Sequence, residues 1–149
     1  MRSGIIQLLE QAEQLHEVSI AMAIVEELVE RTSAANVRAI TAVYLRIGAL
    51  TSVVPSALTS AWELTTDGTP AAGSRLEIER IPLTIACKIC GRERTIEHST
   101  IPVCPICGTP SANIVRGREL LITAMEVDYG PAISGRSAEH SAQEYHAGT

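Results

Sequence analysis

Four cysteines carry the clearest chemistry in this sequence. They fall as Cys87-x2-Cys90 and Cys104-x2-Cys107, with thirteen residues between the pairs. Each pair can present two thiolates from one tight turn. Two such turns supply four sulfurs in a tetrahedron, the geometry preferred by structural Zn²⁺. Gly91 and Gly108 each follow the second cysteine of a pair, and glycine permits the left-handed backbone that lets amides approach the sulfurs. Pro105 stiffens the second turn. Four thiolates leave no open coordination position, so the expected zinc is structural. A rubredoxin-like iron site uses the same paired turns but is usually shielded by aromatic rings, and none lies between Trp62 and Tyr129. A dithiol redox couple needs one pair, not two. The module is too short to have a real core, so metal binding should supply much of its folding energy.

Composition narrows the function. The 149 residues are 46% hydrophobic and 19% charged, enough to bury the core of one ordinary domain, or of a small domain carrying a smaller one. A net charge of −5 argues against a nucleic-acid backbone as main partner. Aromatics are 3%, with no Phe, so base-stacking platforms are not expected. No apolar run approaches the ~20 residues of a membrane span. Glu10 and Glu13 interrupt the stretch a signal peptide would need. The expected location is the cytoplasm, where thiols stay reduced and paired cysteines hold metal. There is no Gly-rich phosphate loop and no nucleophile–base spacing, so no catalytic residue is expected and the chain does not read as an enzyme.

The elements that must position the cysteines follow from periodicity. Ile5, Leu8, Leu9 and Ala12, then Ile20, Met22, Ile24, Val25, Leu28 and Val29, stand at helical spacing. One long helix from Ser3 fits, and so does a shorter one capped by Ser19. Asn36 ends the helix. Residues 39–50 alternate, with Val43, Leu45 and Ile47 facing one way and Tyr44 and Arg46 the other, which predicts a half-buried strand. Pro55 suits the first turn of a second helix with inner face Leu58, Ala61, Trp62 and Thr65, stopped at Asp67-Gly68. Residues 75–87 predict a second strand with a bulge or bend between Ile78 and Ile81, and Pro82 favours an edge. Residues 119–127 predict a third strand that returns to the first sheet. The cysteine module is then an insertion. The last twenty residues lack periodicity and large aliphatics and read as a tail.

His16 and Glu17 gain meaning only from the whole chain. The run HEVSIA (16–21) opens the helix; RIGAL (46–50) closes a strand; V-x-P-x-A-L (53–58) opens the second helix. GSRLEIERIP (73–82), the two cysteine pairs with C-P-x-C-G at 104–108, and GRELLI-x-x-MEVD (117–128) complete a collinear set. Over residues 16–128 the sequence resembles the HypA family of hydrogenase and urease nickel-incorporation proteins. The resemblance implies an α+β fold: a small nickel-binding α/β domain of two helices on a three-stranded sheet, with an inserted four-Cys zinc-ribbon-like domain. The expected division is residues 15–86 with 116–128 for the first and 87–115 for the second, with an extension at 1–14 and, from its composition, a disordered tail at 129–149. It implies a nickel metallochaperone that passes Ni²⁺ to the large subunit of [NiFe]-hydrogenase with a HypB-type GTPase, some members serving urease with its accessory proteins. The alternative is a zinc-ribbon adaptor or regulator that carries no nickel.

The family's nickel site is a Met-His-Glu start, and the matching positions are His16 and Glu17. A free terminal amine, the next amide nitrogen and the imidazole form fused chelate rings suited to square-planar Ni²⁺. Glu17 could give its amide or tune the site from behind. Here Leu15 stands where the family has Met, after fourteen further residues. Either translation begins at position 15, at a Leu codon read as Met, or the extension is genuine and nickel binding is altered; the first is preferred. His98, between the cysteine pairs, could swing in as an extra nickel ligand or be an exposed loop residue. His140 and His146 read as tail residues, Trp62 as core, and Glu26, Glu27 and Glu30 as a wetted helix face.

Overall fold

The computed structural model describes the backbone of residues 3–131 and 145–146 and the side chains of residues 16–131. Helix α1 runs unbroken over Ser3–Thr32, so the longer of the two helical readings holds and Ser19 lies inside the helix. From residue 17 onward its buried positions are Glu17, Ala21, Ile24, Val25, Leu28 and Thr32, one stripe at 3.6-residue spacing. Met22 and Val29 fall off the stripe and are exposed. The first four apolar positions expected on this helix, Ile5 to Ala12, lie outside the described side chains. The helix stops where the Thr32 hydroxyl donates back to the Leu28 carbonyl at 2.8 Å and a turn at residues 33–36 takes over.

Strand β1, Val37–Gly48, follows with Val43, Leu45 and Ile47 buried and Arg46 exposed, as alternation predicts. Helix α2, Pro55–Thr66, starts on its proline and packs against α1. Its inner face is Leu58, Ala61, Trp62 and Thr66. Thr66, not Thr65, completes the face, because it stands four residues beyond Trp62 and its hydroxyl donates to the Trp62 carbonyl at 2.8 Å. Trp62 is core, and its indole N–H donates to the Ser74 hydroxyl at 3.0 Å.

The segment expected as one bent strand is two. Strand β2, Arg75–Ile81, and strand β3, Leu83–Cys87, lie in different sheets and part at Pro82. Proline has no N–H to give either ladder, so the chain changes sheets there at no cost in hydrogen bonds. Strands β4 (Arg92–Ile96) and β5 (Ile114–Arg116) flank β3 in the order β4-β3-β5, both antiparallel to it. Strand β6, Leu120–Tyr129, returns to the first sheet, whose order is β2-β1-β6-β7. The two-residue β7, Tyr145–His146, pairs antiparallel with β6. Apart from residues 129–131 and β7, the expected tail lies outside the described residues, His140 included.

The chain separates into two compact units. One comprises residues 1–44, 53–77 and 122–149; the other comprises residues 45–52 and 78–121. In the first, the outer face of the sheet is tied across strands. The Tyr44 hydroxyl donates to Glu126 at 2.6 Å and accepts from Arg75 at 3.2 Å. The bond to Glu126 raises the Tyr44 pKa. In the second, three successive amides at the end of β1 hold both stalks of the cysteine module. Gly48 N–H donates to Glu119 at 2.7 Å, Ala49 to Ile81 at 2.9 Å, and Leu50 to Gly117 at 2.7 Å. Gly48 must be glycine for this: a Cβ there would lie 2.1 Å from the Gly117 carbonyl oxygen. Gly117 itself has φ 123°, a conformation side chains disfavour.

Candidate metal centre

The structure brings all four predicted cysteines together. Cys87, Cys90, Cys104 and Cys107 place their sulfurs within 4.8 Å of one another. The Cys87–Cys107 sulfurs are 3.6 Å apart and the Cys90–Cys104 sulfurs 3.9 Å. These are not disulfides, whose sulfurs lie about 2 Å apart. A tetrahedral zinc with Zn–S bonds of about 2.3 Å sets its sulfurs about 3.8 Å apart. The donor set and its spacing therefore fit a closed four-thiolate zinc site, and the module is of zinc-ribbon type.

Two matching knuckles build it. Gly91 N–H returns to the Cys87 carbonyl at 2.8 Å, and Gly108 N–H to the Cys104 carbonyl at 2.9 Å. Both glycines have positive φ, 65° and 71°, which is why each pair is followed by glycine. Cys90 N–H points to the Cys87 sulfur at 3.4 Å. Behind the knuckles the module does hold a small core: Leu83, Ile85, Cys87 and Cys104 are buried, with Ala49, Leu50, Ile96 and Ile114 packed against them. Sequence length alone argued against such a core. It forms because β3 turns Leu83, Ile85 and Cys87 to one face and because residues 49–50 join the unit.

The four thiols are not equivalent. Hydrogen bonds from the Thr109 hydroxyl and amide hold Cys107 down to about 6. The amides of Cys107 and Ile106 lower Cys104. Hydrogen bonding with Cys107, followed by burial, pushes Cys90 up to about 11, and only Arg94 opposes this. Cys107 is exposed, whereas Cys87 and Cys104 are buried.

His16 and Glu17 sit side by side on α1 but face different surroundings. His16 is 53% exposed, and its Nδ1 lies 4.0 Å from the Glu17 carboxylate. Glu17 is fully buried. Its Oε1 accepts the Val54 N–H at 2.9 Å, while Oε2 is buried with no partner. Val54 is the N-cap of α2 and makes no side-chain cap of its own. Glu17 thus does from α1 what the carboxylate of a capping box does from within a helix, at the positive end of the α2 dipole. This use of Glu17 was not legible in its neighbours, since the partner is 37 residues away. His98 lies in an exposed bend after β4.

One residue of the cysteine module escaped sequence analysis. Arg94 on β4 is half-buried, and its Nε is buried without a partner. The signal was an arginine between Arg92 and Ile96 in a short strand, too common to single out.

Comparison with known proteins gives a consistent picture. The family model described as "Hydrogenase/urease nickel incorporation, metallochaperone, hypA" matches residues 15–127. A protein of Chloroflexus aggregans named hydrogenase maturation factor HypA is 42% identical over 112 residues, covering 75% of this chain and 98% of that one. A Roseiflexus protein of the same name is 37% identical over 114 residues, covering 76% and 93%. The solution structure of the Ni metallochaperone HypA from Helicobacter pylori superposes with a TM-score of 0.55 at 20% identity, covering 76% of this chain and 98% of that one. That likeness establishes shared architecture.

Proposed function

The chain belongs to the HypA family of hydrogenase/urease nickel-incorporation proteins, and from that premise we propose that it carries Ni²⁺ to a nickel enzyme under maturation while a structural zinc holds its cysteine module. It acts by binding and transfer, not catalysis. The partners are a HypB-type GTPase and the large subunit of [NiFe]-hydrogenase, with urease and its accessory proteins as the other route. The reducing cytoplasm keeps its thiols available for metal. Among the described residues no helix is long and apolar enough to cross a membrane.

The observation that carries the nickel assignment is the start of the family match at residue 15, which makes His16 and Glu17 its second and third positions. Within the long helix, the His16 and Glu17 amides are directed by the i→i−4 rule at the carbonyls of Ala12 and Glu13. In a chain beginning at position 15 those acceptors are gone, and the first N–H groups of a helix are free. Terminal amine, His16 amide and His16 imidazole can then chelate one square-planar ion, with the Glu17 amide beside them. The Glu17 carboxylate remains on α2 and is no nickel ligand. Translation from position 15, read as Met, is part of this proposal. The adaptor reading, with zinc and no nickel, rests on α1 running unbroken through these positions.

Nickel binding to a chain starting with Met at position 15, with and without His16→Ala, tests the assignment. Nickel lost on His16→Ala with zinc retained supports it. Nickel that ignores His16 refutes it.

A further inference from the structure

We propose that the tip of the cysteine module is a docking surface. Ile89 and Ile106, one from each knuckle, seat an acidic protein surface that offers an aliphatic recess, with Lys88 on the rim, and that surface belongs to the acceptor of the nickel. The inference rests on the nickel-delivery reading above.

The two isoleucines hold the same place in two loops. Gly91 N–H is tied to the Cys87 carbonyl and Gly108 N–H to the Cys104 carbonyl, so Ile89 and Ile106 are the middle residues of two closed turns, 87–91 and 104–108. They are 72% and 68% exposed. Each precedes a cysteine whose sulfur lies within 4.8 Å of the other three, so both stand at the metal end of the unit. Ile101, 65% exposed, lies shortly before Cys104 on the same segment. Single exposed aliphatics need no explanation. Here one position is left apolar twice, in a unit whose own core is filled by Leu83 and Ile85. Nor do these side chains shield the thiolates, because a side chain that covers a site is itself covered.

Charge narrows the occupant. No residue of 87–92 or of 98–118 is acidic, whereas Lys88, Arg92, Arg116 and Arg118 are basic, and all four are exposed. Residues 45–52 and 78–121 carry a net charge of +3 in a chain of −5, which leaves −8 on the other unit. Four thiolates closed around Zn²⁺ bring the module to +1. An apolar centre with a cationic rim fits a surface whose carboxylates ring an apolar recess. A nucleic acid or an anionic membrane fits less well, because its extended negative field would meet the acidic unit too. His16 belongs to that other unit. A partner held by the module therefore leaves the imidazole free to hand over its ion, which assigns the dock to the acceptor.

The test uses the full zinc-loaded chain and the purified precursor of the [NiFe]-hydrogenase large subunit from the same host. Affinity is measured by titration calorimetry at low and moderate salt. The wild type is compared with the pairs Ile89→Glu/Ile106→Glu, Ile89→Ser/Ile106→Ser and Ile89→Leu/Ile106→Leu, and with Lys88→Ala. Elemental analysis and thermal melting check zinc and fold in each. The expected result is a loss of about ten-fold or more in the Glu and Ser pairs, near-wild-type affinity in the Leu pair, and unchanged zinc. Lys88→Ala should weaken binding at low salt and matter less at moderate salt. Binding that ignores the Ser and Glu pairs overturns the proposal. So does a wild-type chain that binds a DNA duplex or vesicles of anionic phospholipid but not the precursor, or binds none of them. If the Glu pair does not hold zinc, the Ser pair decides. Failure of the nickel reading shows elsewhere, as nickel binding that ignores His16, and these variants leave His16 intact.

Discussion

The Glu17 carboxylate closes the start of α2 by accepting the Val54 N–H at 2.9 Å. Two helices are thereby joined by a bond between a buried side-chain oxygen and a helix end, and the residue beside Glu17, His16, is the exposed one. The imidazole is held at a defined place without being used up.

Glu17→Ala should destabilise the protein by about 1–3 kcal/mol, because it strands the Val54 donor at an otherwise uncapped helix end. Glu17→Gln keeps an acceptor oxygen and should lose less. Chemical denaturation of both variants checks the order. Equal losses would mean the charge, not the hydrogen bond, matters.

Nickel should appear with the free amine. A chain whose first residue is Met at position 15 should bind nickel through His16, whereas the chain with α1 extended to Ser3 should bind it weakly. Intact mass of the protein from its native host tells which start is used. Spectroscopic titration with nickel compares the two forms.

Gly48→Ala should cost about 3 kcal/mol or more, at the severe end for single substitutions. The added methyl meets the Gly117 carbonyl oxygen at 2.1 Å, so the backbone must part and the neighbouring bonds of Gly48 and Leu50 with it. Thermal melting would expose a wild-type-like tolerance if the approach were looser.

Metal loading of the cysteines should weaken as pH falls. Thiols bind metal as thiolates, so protons compete. With Cys107 held at about 6, this thiol is already ionised at neutral pH and costs nothing there; Cys90, at about 11, must surrender a proton to the metal. Below about pH 6 Cys107 must do so too, and the fall should steepen. Zinc affinity measured between neutral and mildly acid pH gives the slope.

Cys90→Ala should release the metal and loosen the second unit while α1 and α2, both in the first, stay helical. Far-UV circular dichroism reads the helices and elemental analysis reads the metal. Loss of helix along with metal would show that the units do not fold independently.

Local signals in the sequence carried most of this architecture. The knuckles were legible because two cysteines and a glycine within five residues constrain one turn. β1 was legible because Val43, Leu45 and Ile47 alternate with Tyr44 and Arg46. What failed was non-local. Pro82 announced an irregularity, but that Ile81 and Leu83 belong to different sheets depends on which strands they meet. Arg94 became informative only when register set it opposite Ile85. Glu17 was expected at the nickel site, and its second use, accepting the Val54 N–H, depends on α2 packing beside it. Met22 and Val29 were counted inward because the apolar positions of α1 outnumber one stripe.

The three amides of Gly48, Ala49 and Leu50 also make the cysteine module a replaceable part. Ile81 and Glu119 are gripped by Ala49 and Gly48, adjacent residues where β1 ends, and β2 and β6 flank that strand on opposite sides. The two cut ends therefore stand about 10 Å apart, two strand spacings. A linker of about three or four extended residues reaches that far. Residues 82–118 could accordingly be exchanged for another lineage's module, or for a plain loop, with the splice points already fixed in place by the host strand.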